Sequence, residues 1–305
     1  MAMEESSAQR WARYWSEGDA DGEVFTRGGT SGHPALEAFW RDRLAKASGP
    51  SLDVACGAAT VFQHGSQAGI AVALDYSHSA LGKLRERTRT VLTLVGDAAE
   101  LPFSDASMAQ VVSQFGLEYA GMPAFGEAAR VLAPDGNLVL LCHLVGSTIF
   151  HQSDAELQAL DEMAELEFLP RGEAALRAAY AGDEDAFVAA ARSFMAAERP
   201  MAERLQGGDG SGLPAHLYRS FRALFEERAR YAPEDAFAWL SASAEQMAES
   251  RARLRAIIQA ALPAEDQSEV LSSLAAGGVR DLLATPFYLP GDERPLAVVI
   301  EGRGG

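Results

Sequence analysis

Two acids that each close an apolar run, Asp75 and Asp97, and a turn of small residues, Ala55-Cys56-Gly57-Ala58-Ala59, are the parts of this sequence best suited to recognise a ligand. Small side chains let a backbone come close to a bound molecule, and a helix that starts after the turn presents unpaired N–H groups. An ionised carboxylate only accepts hydrogen bonds, so one such group can take both adjacent hydroxyls of a ribose, as Asp75 could. A strand, a tight small-residue turn and a helix start form a cradle for a nucleotide-like ligand. The same acids are also of the kind that closes turns and caps helices.

The elements that must position these residues alternate in βαβ fashion from 51 to 145. The strands read as Ser51–Val54, Gly69–Leu74 ending at Asp75, Val91–Val95 closed by Gly96-Asp97, Ala109–Gln114 and Asn137–Cys142. A helix is expected after Thr60, another after Asp75 with Ser77 or Ser79 as cap and Leu81 and Leu84 on one face, and a third over Ala124–Leu132, stopped by the turn Pro134-Asp135-Gly136. Before the first strand, residues 8–46 read as a helical cap around a loop at 17–22. Trp11, Tyr14 and Trp15 share one face there, and Leu36, Phe39, Trp40 and Leu44 another.

From about 152 to 276 strand runs vanish and Ala, Glu, Arg, Leu and Met dominate. Ser153 with Glu156 reads as a capping box, Pro170 as a helix end, and Gly207–Gly212 as a break. Apolar stripes at Leu157, Leu160 and Met163, at Phe187, Val188, Ala191, Phe194 and Met195, and at Leu217, Phe221, Leu224 and Phe225 read as packing faces, and Pro233 opens a long last helix. Strand character returns at Leu282–Leu289 and Leu296–Ile300. The connection between these two runs is short enough only for an antiparallel pair.

The expected fold is therefore α/β: a doubly wound, mostly parallel seven-stranded sheet ending in an antiparallel hairpin, with a helical insertion before the last two strands. The domains would be an N-terminal helical cap at 1–48, a core at 49–150 and 278–305, and a helical insertion or lid at 151–277.

The net charge of −17 lacks the basic footprint of a nucleic-acid binder, and the sequence pI is about 4.8. No apolar run approaches the roughly 20 residues of a membrane helix, and the start of the chain does not read as a signal peptide. Cys56 and Cys142 have no metal-ligand spacing and read as reduced thiols in or beside core strands, which suits a cytoplasm. No His/Cys/Asp cluster predicts a metal.

Four stretches then carry a resemblance. Asp53-Val54-Ala55-Cys56-Gly57-Ala58-Ala59 resembles the first motif of the class I S-adenosylmethionine-dependent methyltransferases, and Asp75 matches the acid ending that family's second strand. Gly96-Asp97-Ala98-Ala99-Glu100-Leu101-Pro102-Phe103 closely resembles the adenine-side motif, and Val131-Leu132-Ala133-Pro134-Asp135-Gly136-Asn137-Leu138 the turn before the fifth strand. The resemblance covers about 51–145 and, more loosely, 279–303. It implies S-adenosyl-L-methionine as cofactor. The turn Ala55–Gly57 would pass under the methionine part, and Asp53 would order that turn or meet the ammonium. Asp75 would take the ribose, Asp97 the adenine amine, the Ala98 N–H a ring nitrogen, and Tyr76 and Gln114 would complete the cofactor site. The family often has Gly where this chain has Ala55 and Ala59, which adds a methyl where backbone approaches ligand.

Methyl transfer then needs an aligned acceptor in a dry pocket, and a base only where the acceptor loses a proton. An acceptor belongs beyond the carboxyl ends of the strands. Glu118 or His143 is the candidate base there; Phe115, Tyr119 and His151 are candidate pocket residues. His143 could equally be a satisfied strand-end histidine and Glu118 a helix-start acid. The expected activity is methyl transfer to a small-molecule acceptor, with no nucleic-acid or membrane partner and an oligomeric state left open. Two other readings remain: a non-catalytic S-adenosylmethionine-binding or interaction protein, and an NAD-type oxidoreductase. The missing glycines of the dinucleotide fingerprint and the Gly96-Asp97 motif speak against the last.

Overall fold

The computed structural model describes residues 33–46, 48–65, 69–207 and 212–305. The expected aromatic face at Trp11, Tyr14 and Trp15 and the loop at 17–22 lie outside them. The chain divides into two compact units: one holds the sheet, with residues up to His151 and from Gln259 onward, and the other spans Gln152–Ile258.

The sheet unit begins with α1 (Pro34–Leu44), whose buried Phe39, Trp40 and Leu44 face inward. Phe39 meets Phe287 with ring centroids 5.1 Å apart, and Arg43 pairs with Glu301 at 3.0 Å. Then come β1 (Ser51–Val54), β2 (Ala71–Asp75), α2 (His78–Arg87), β3 (Leu92–Val95), β4 (Met108–Gln114), α3 (Met122–Val131) and β5 (Leu132–Cys142). After the helical unit follow α9 (Ala264–Ala276), β6 (Val279–Phe287) and β7 (Ala297–Gly304).

The seven strands lie in the order β3-β2-β1-β4-β5-β7-β6, with β7 antiparallel to both β5 and β6 and every other pairing parallel. The expected fold class is the one found. Strand β1 is buried along its whole length, as a strand covered on both faces must be. Leu52, Val54, Val111, Leu138, Leu140 and Ile300 of the strands share one core with Phe125 and Ala128 of α3 and Val270 and Leu274 of α9. The sequence reading carried the insertion to 277; the separate helical unit ends at Ile258, and α9 packs on α3 and β6 of the sheet unit.

Local details depart from expectation where side chains compete with helix or strand. Among the described residues that follow Thr60, a single 3₁₀ turn forms, Val61–His64, closed by the extended Gly65. The Pro134-Asp135-Gly136 turn sits inside β5 as a register shift, with Asp135 at φ +59°. On α2 the Ser77 hydroxyl caps the helix by accepting from Ala80 N at 3.2 Å, and Leu81 and Leu84 are buried as expected.

The helical unit is built from most of α4 (Thr148–Glu165) and α8 (Pro233–Ala260), with α5 (Phe168–Ala181), α6 (Glu184–Gly207) and α7 (Gly212–Glu226). Phe168, Phe194 and Phe221 pack together, and Gly172 leaves the room: a Cβ there would stand 2.5 Å from the Phe221 ring. Ser153 is not a helix cap, because α4 starts at Thr148 and Ser147 accepts from Phe150 N at 3.1 Å. Pro170 does not end a helix; it lies in the first turn of α5, where a missing N–H costs nothing. The stripe on α6 is narrower than expected. Phe187 and Phe194 meet Phe225, whereas Val188 and Met195 point to solvent, 52% and 65% exposed. Among the described residues no helix is long and apolar enough to cross a membrane.

Candidate functional site

The strand order grows in opposite directions from β1 and β4, which makes the gap between their carboxyl ends the switch point where an open α/β sheet binds ligands. Two residues there adopt the left-handed conformation without being glycine: Ala55 at φ +57°, just past β1, and Phe115 at φ +54°, just past β4. Each costs about 1–2 kcal/mol and persists only because its surroundings hold it. Gly116 lets the two strand ends approach. A Cβ on it would lie 2.3 Å from the Ala55 carbonyl oxygen and 2.8 Å from the Ala55 Cβ. Gly116→Ala is accordingly expected to destabilise the fold by about 3 kcal/mol. Urea unfolding measures this, and an unchanged midpoint would mean that the strand ends stand further apart.

Asp53 is buried in β1. Its Oδ2 accepts from the Thr60 hydroxyl at 2.6 Å and from Val61 N at 3.0 Å, so the carboxylate pins the turn that follows the strand. These bonds, with Phe62 N donating to Thr60 Oγ1 at 3.3 Å, use N–H groups expected to face the ligand. The cradle is therefore the turn itself and not a helix N-terminus. Asp53 Oδ1 is buried with no hydrogen-bond partner among the described residues. Burial pushes its carboxyl up to about 7; the bonds from Thr60 and Val61 oppose that rise, and the charge of Asp75 adds to it.

Asp75 joins the turn to the end of β2. Its Oδ2 accepts from Gly57 N and its Oδ1 from Ser77 N, both at 2.7 Å. Each oxygen keeps a further acceptor site, which is what a pair of vicinal hydroxyls requires. Burial raises its pKa as well, against the two backbone bonds. The Cys56 thiol between these acids is pushed up by burial first and by the charges of Asp53 and Asp75 next. Asp97 is exposed and folds its own loop, Oδ1 accepting from Ala99 N at 2.8 Å, while Ala98 beside it is buried. Tyr76 is 58% exposed. Gln114 gives its side-chain carbonyl to the Trp40 indole N–H of α1.

A second group gathers past β4 and β5. Glu118 Oε1 accepts from the His143 main-chain N–H at 2.8 Å and meets His143 Nδ1 at 2.6 Å. Both side chains are buried. The His143 ring packs against Phe115 and Tyr119, with centroids 4.8 Å and 5.6 Å away. The structure thus brings four sequence-predicted residues together: Phe115, Glu118, Tyr119 and His143. His151 is not among them; it stands exposed in the first turn of α4.

Sequence reasoning missed Thr60 and Ser113. Ser113 Oγ donates to Val54 O at 2.8 Å and accepts from Leu117 N at 3.1 Å, tying β1 to the turn before Glu118. Neither shows a signal by type, since a hydroxyl in a turn or strand is common; only the acid seven residues before Thr60 hints at a bond. Among the described residues no cluster of His, Cys, Asp and Glu could hold a metal ion.

The arrangement suits one kind of ligand: a buried acceptor oxygen with capacity to spare, a carboxylate with two open acceptor sites, and a turn of small residues between them. Comparisons with known proteins find similarity over this part of the chain. Residues 52–140 match a family model described as "Methyltransferase domain". The chain is 34% identical over 114 residues to a demethylmenaquinone methyltransferase of Staphylococcus haemolyticus, a match covering 33% of this chain and 46% of the relative. A second demethylmenaquinone methyltransferase, from Staphylococcus aureus, is 34% identical over 116 residues, 33% of this chain and 48% of the relative. The chain thus spans about half the length of the curated relatives it matches. Among solved structures, the geranyl diphosphate C-methyltransferase of Streptomyces coelicolor superposes with a TM-score of 0.37 at 17% identity, over 45% of this chain and 64% of that one. Residues 52–140, which carry the first five strands of the sheet, are thus similar to a methyltransferase domain.

Proposed function

We propose that this protein transfers the methyl group of S-adenosylmethionine to a small-molecule acceptor. The observation that supports this best is the pairing of Asp53 and Asp75 through one small-residue turn at the switch point of the matched domain. When bound, the cofactor supplies a methyl already activated on a sulfonium. The chain's own residues bind and align. Asp75 accepts the ribose hydroxyls, Asp53 Oδ1 faces the ammonium, and the backbone of Ala55–Gly57 runs beneath the methionine part. Asp97 and the Ala98 N–H take the adenine edge. Phe115 and Tyr119 wall the acceptor side and keep water out. Two free thiols, Cys56 and Cys142, suit a reducing cytoplasm.

Proton handling falls to Glu118 and His143. One Glu118 oxygen holds both the main-chain N–H and Nδ1 of residue 143, which fixes the ring and puts the proton on Nδ1. The far ring nitrogen then serves as base for an acceptor hydroxyl. His143→Asn places an amide donor where Nδ1 stood and removes the base. It is expected to slow transfer by about 10²–10⁴-fold, with cofactor affinity kept within about twofold. A rate like that of the unaltered protein would make the pair structural.

Calorimetric titration of S-adenosylmethionine, followed by labelled-methyl transfer to a panel of small hydroxyl, amine, thiol and activated-carbon acceptors, tests the whole reading. Binding and transfer support it. Binding without transfer to any acceptor would mark a cofactor-binding interaction protein, and absence of binding would overturn the site.

A further inference from the structure

The chain between β3 and β4, residues 96–107, carries Asp97 and Ala98 yet has almost no regular structure of its own beyond one isolated bridge, Asp97 to Glu100. It is held from outside by α3. Glu127 and Arg130 stand three residues apart on that helix. Glu127 Oε2 accepts the Leu101 N–H at 2.7 Å. Arg130 Nη2 donates to the Leu101 carbonyl at 3.0 Å and Nη1 to the Phe103 carbonyl at 2.8 Å. Nη1 also donates to Asp105 Oδ1, and Nε and Nη2 donate to the two Glu127 oxygens, all at 2.7 Å. The five guanidinium donors therefore all find acceptors, three of them on one loop. A lysine, with its donors on one atom, cannot reproduce that planar set.

We propose that Glu127 and Arg130 are positioning residues for the adenine side of the cofactor, holding the 97–103 loop so that Asp97 and Ala98 face the nucleoside. This rests on the S-adenosylmethionine reading above. The pair does not anchor the core. The Arg130 and Glu127 side chains are 31% and 20% exposed, whereas Leu101, which does anchor the loop, is buried among apolar neighbours independently of them. Loss of the clamp loosens the loop without removing that anchor.

The test is titration of S-adenosylhomocysteine into the unaltered protein, Arg130→Ala, Arg130→Lys and Glu127→Gln, with hydrogen exchange followed at the amides of residues 98–103. Arg130→Ala is expected to weaken binding about 10–100-fold, as loss of two charge-assisted bonds to the loop backbone would. Arg130→Lys recovers only part of that affinity, and exchange at Leu101 and Phe103 quickens. The turnover rate at saturating cofactor stays within about twofold. Unchanged affinity in Arg130→Ala, or a fall in turnover with cofactor affinity intact, would overturn the assignment. If Arg130→Ala does not fold, Glu127→Gln decides: it keeps the side-chain shape, and equal affinity there also overturns it. Failure of the unaltered protein to bind would remove the cofactor reading itself, an outcome distinct from either.

Discussion

Asp75→Ala is expected to lower S-adenosylmethionine affinity at least 100-fold and, at the same time, to reduce the unfolding free energy by about 2–3 kcal/mol. The two losses have one origin. The carboxylate takes the Gly57 N–H on one oxygen and the Ser77 N–H on the other, so its removal leaves a buried N–H in the turn unpaired. In the proposed function its remaining acceptor sites are those offered to the ribose. Asp75→Asn separates the effects, because one amide oxygen can still hold the Gly57 N–H while the second oxygen is gone. Stability should then recover in part while affinity remains low. Calorimetry beside urea unfolding reads both quantities. An Asp75→Ala protein that binds like the original would place the ribose elsewhere.

The second large effect is on stability against pH. The native Asp53 carboxyl keeps its proton up to about 7, whereas the unfolded chain releases it near the ordinary 3.8. Between those values the native state binds more protons than the unfolded one, so stability falls as pH rises. At about 1.4 kcal/mol per pH unit, the loss due to Asp53 amounts to about 4 kcal/mol by pH 7 and is complete above it. Asp53→Asn carries no such titration. The difference between the two proteins isolates this residue from Asp75, whose carboxyl burial also raises. Unfolding measured from pH 5 to 8 should show a steeper decline in the original protein than in the variant; parallel curves would mean that Asp53 is ionised throughout. Asp53→Asn is also expected to bind cofactor more weakly, since the charge that would meet the ammonium is absent.

Much of this architecture is legible in the residues alone, because short apolar runs that alternate with helical segments read as βαβ units of a covered parallel sheet. Asp75 and Gly57 are legible because an acid at the end of one strand must face the turn at the end of its neighbour. What escapes the sequence is where a side chain satisfies the backbone locally. Thr60 takes the place of a helix start because an acid beneath it captures the hydroxyl and the next N–H. The α4 start is misread at Ser153 because Ser147 caps earlier. Arg130 reads as a surface residue in a helix, and nothing in the pattern marks three acceptors gathered from a loop 25 to 29 positions away. The left-handed Ala55 and Phe115 are equally invisible, since glycine is the residue that normally signals such a backbone.

The chain leaves the sheet after β5, at Cys142, and comes back 120 positions later, at Leu262, at nearly the same place. His143 O accepts from Leu262 N at 2.9 Å, and Val145 N donates to Leu262 O at 3.2 Å. This stub of parallel ladder works as a clasp. Because closing a long excursion costs little more than closing a short one, the chain between the two sides of the clasp can be shortened, enlarged or exchanged by recombination while the strand order stays as it is. The clasp includes the backbone of residue 143, so that backbone keeps its place in the sheet unit whatever the length of the chain between the two strands of the clasp.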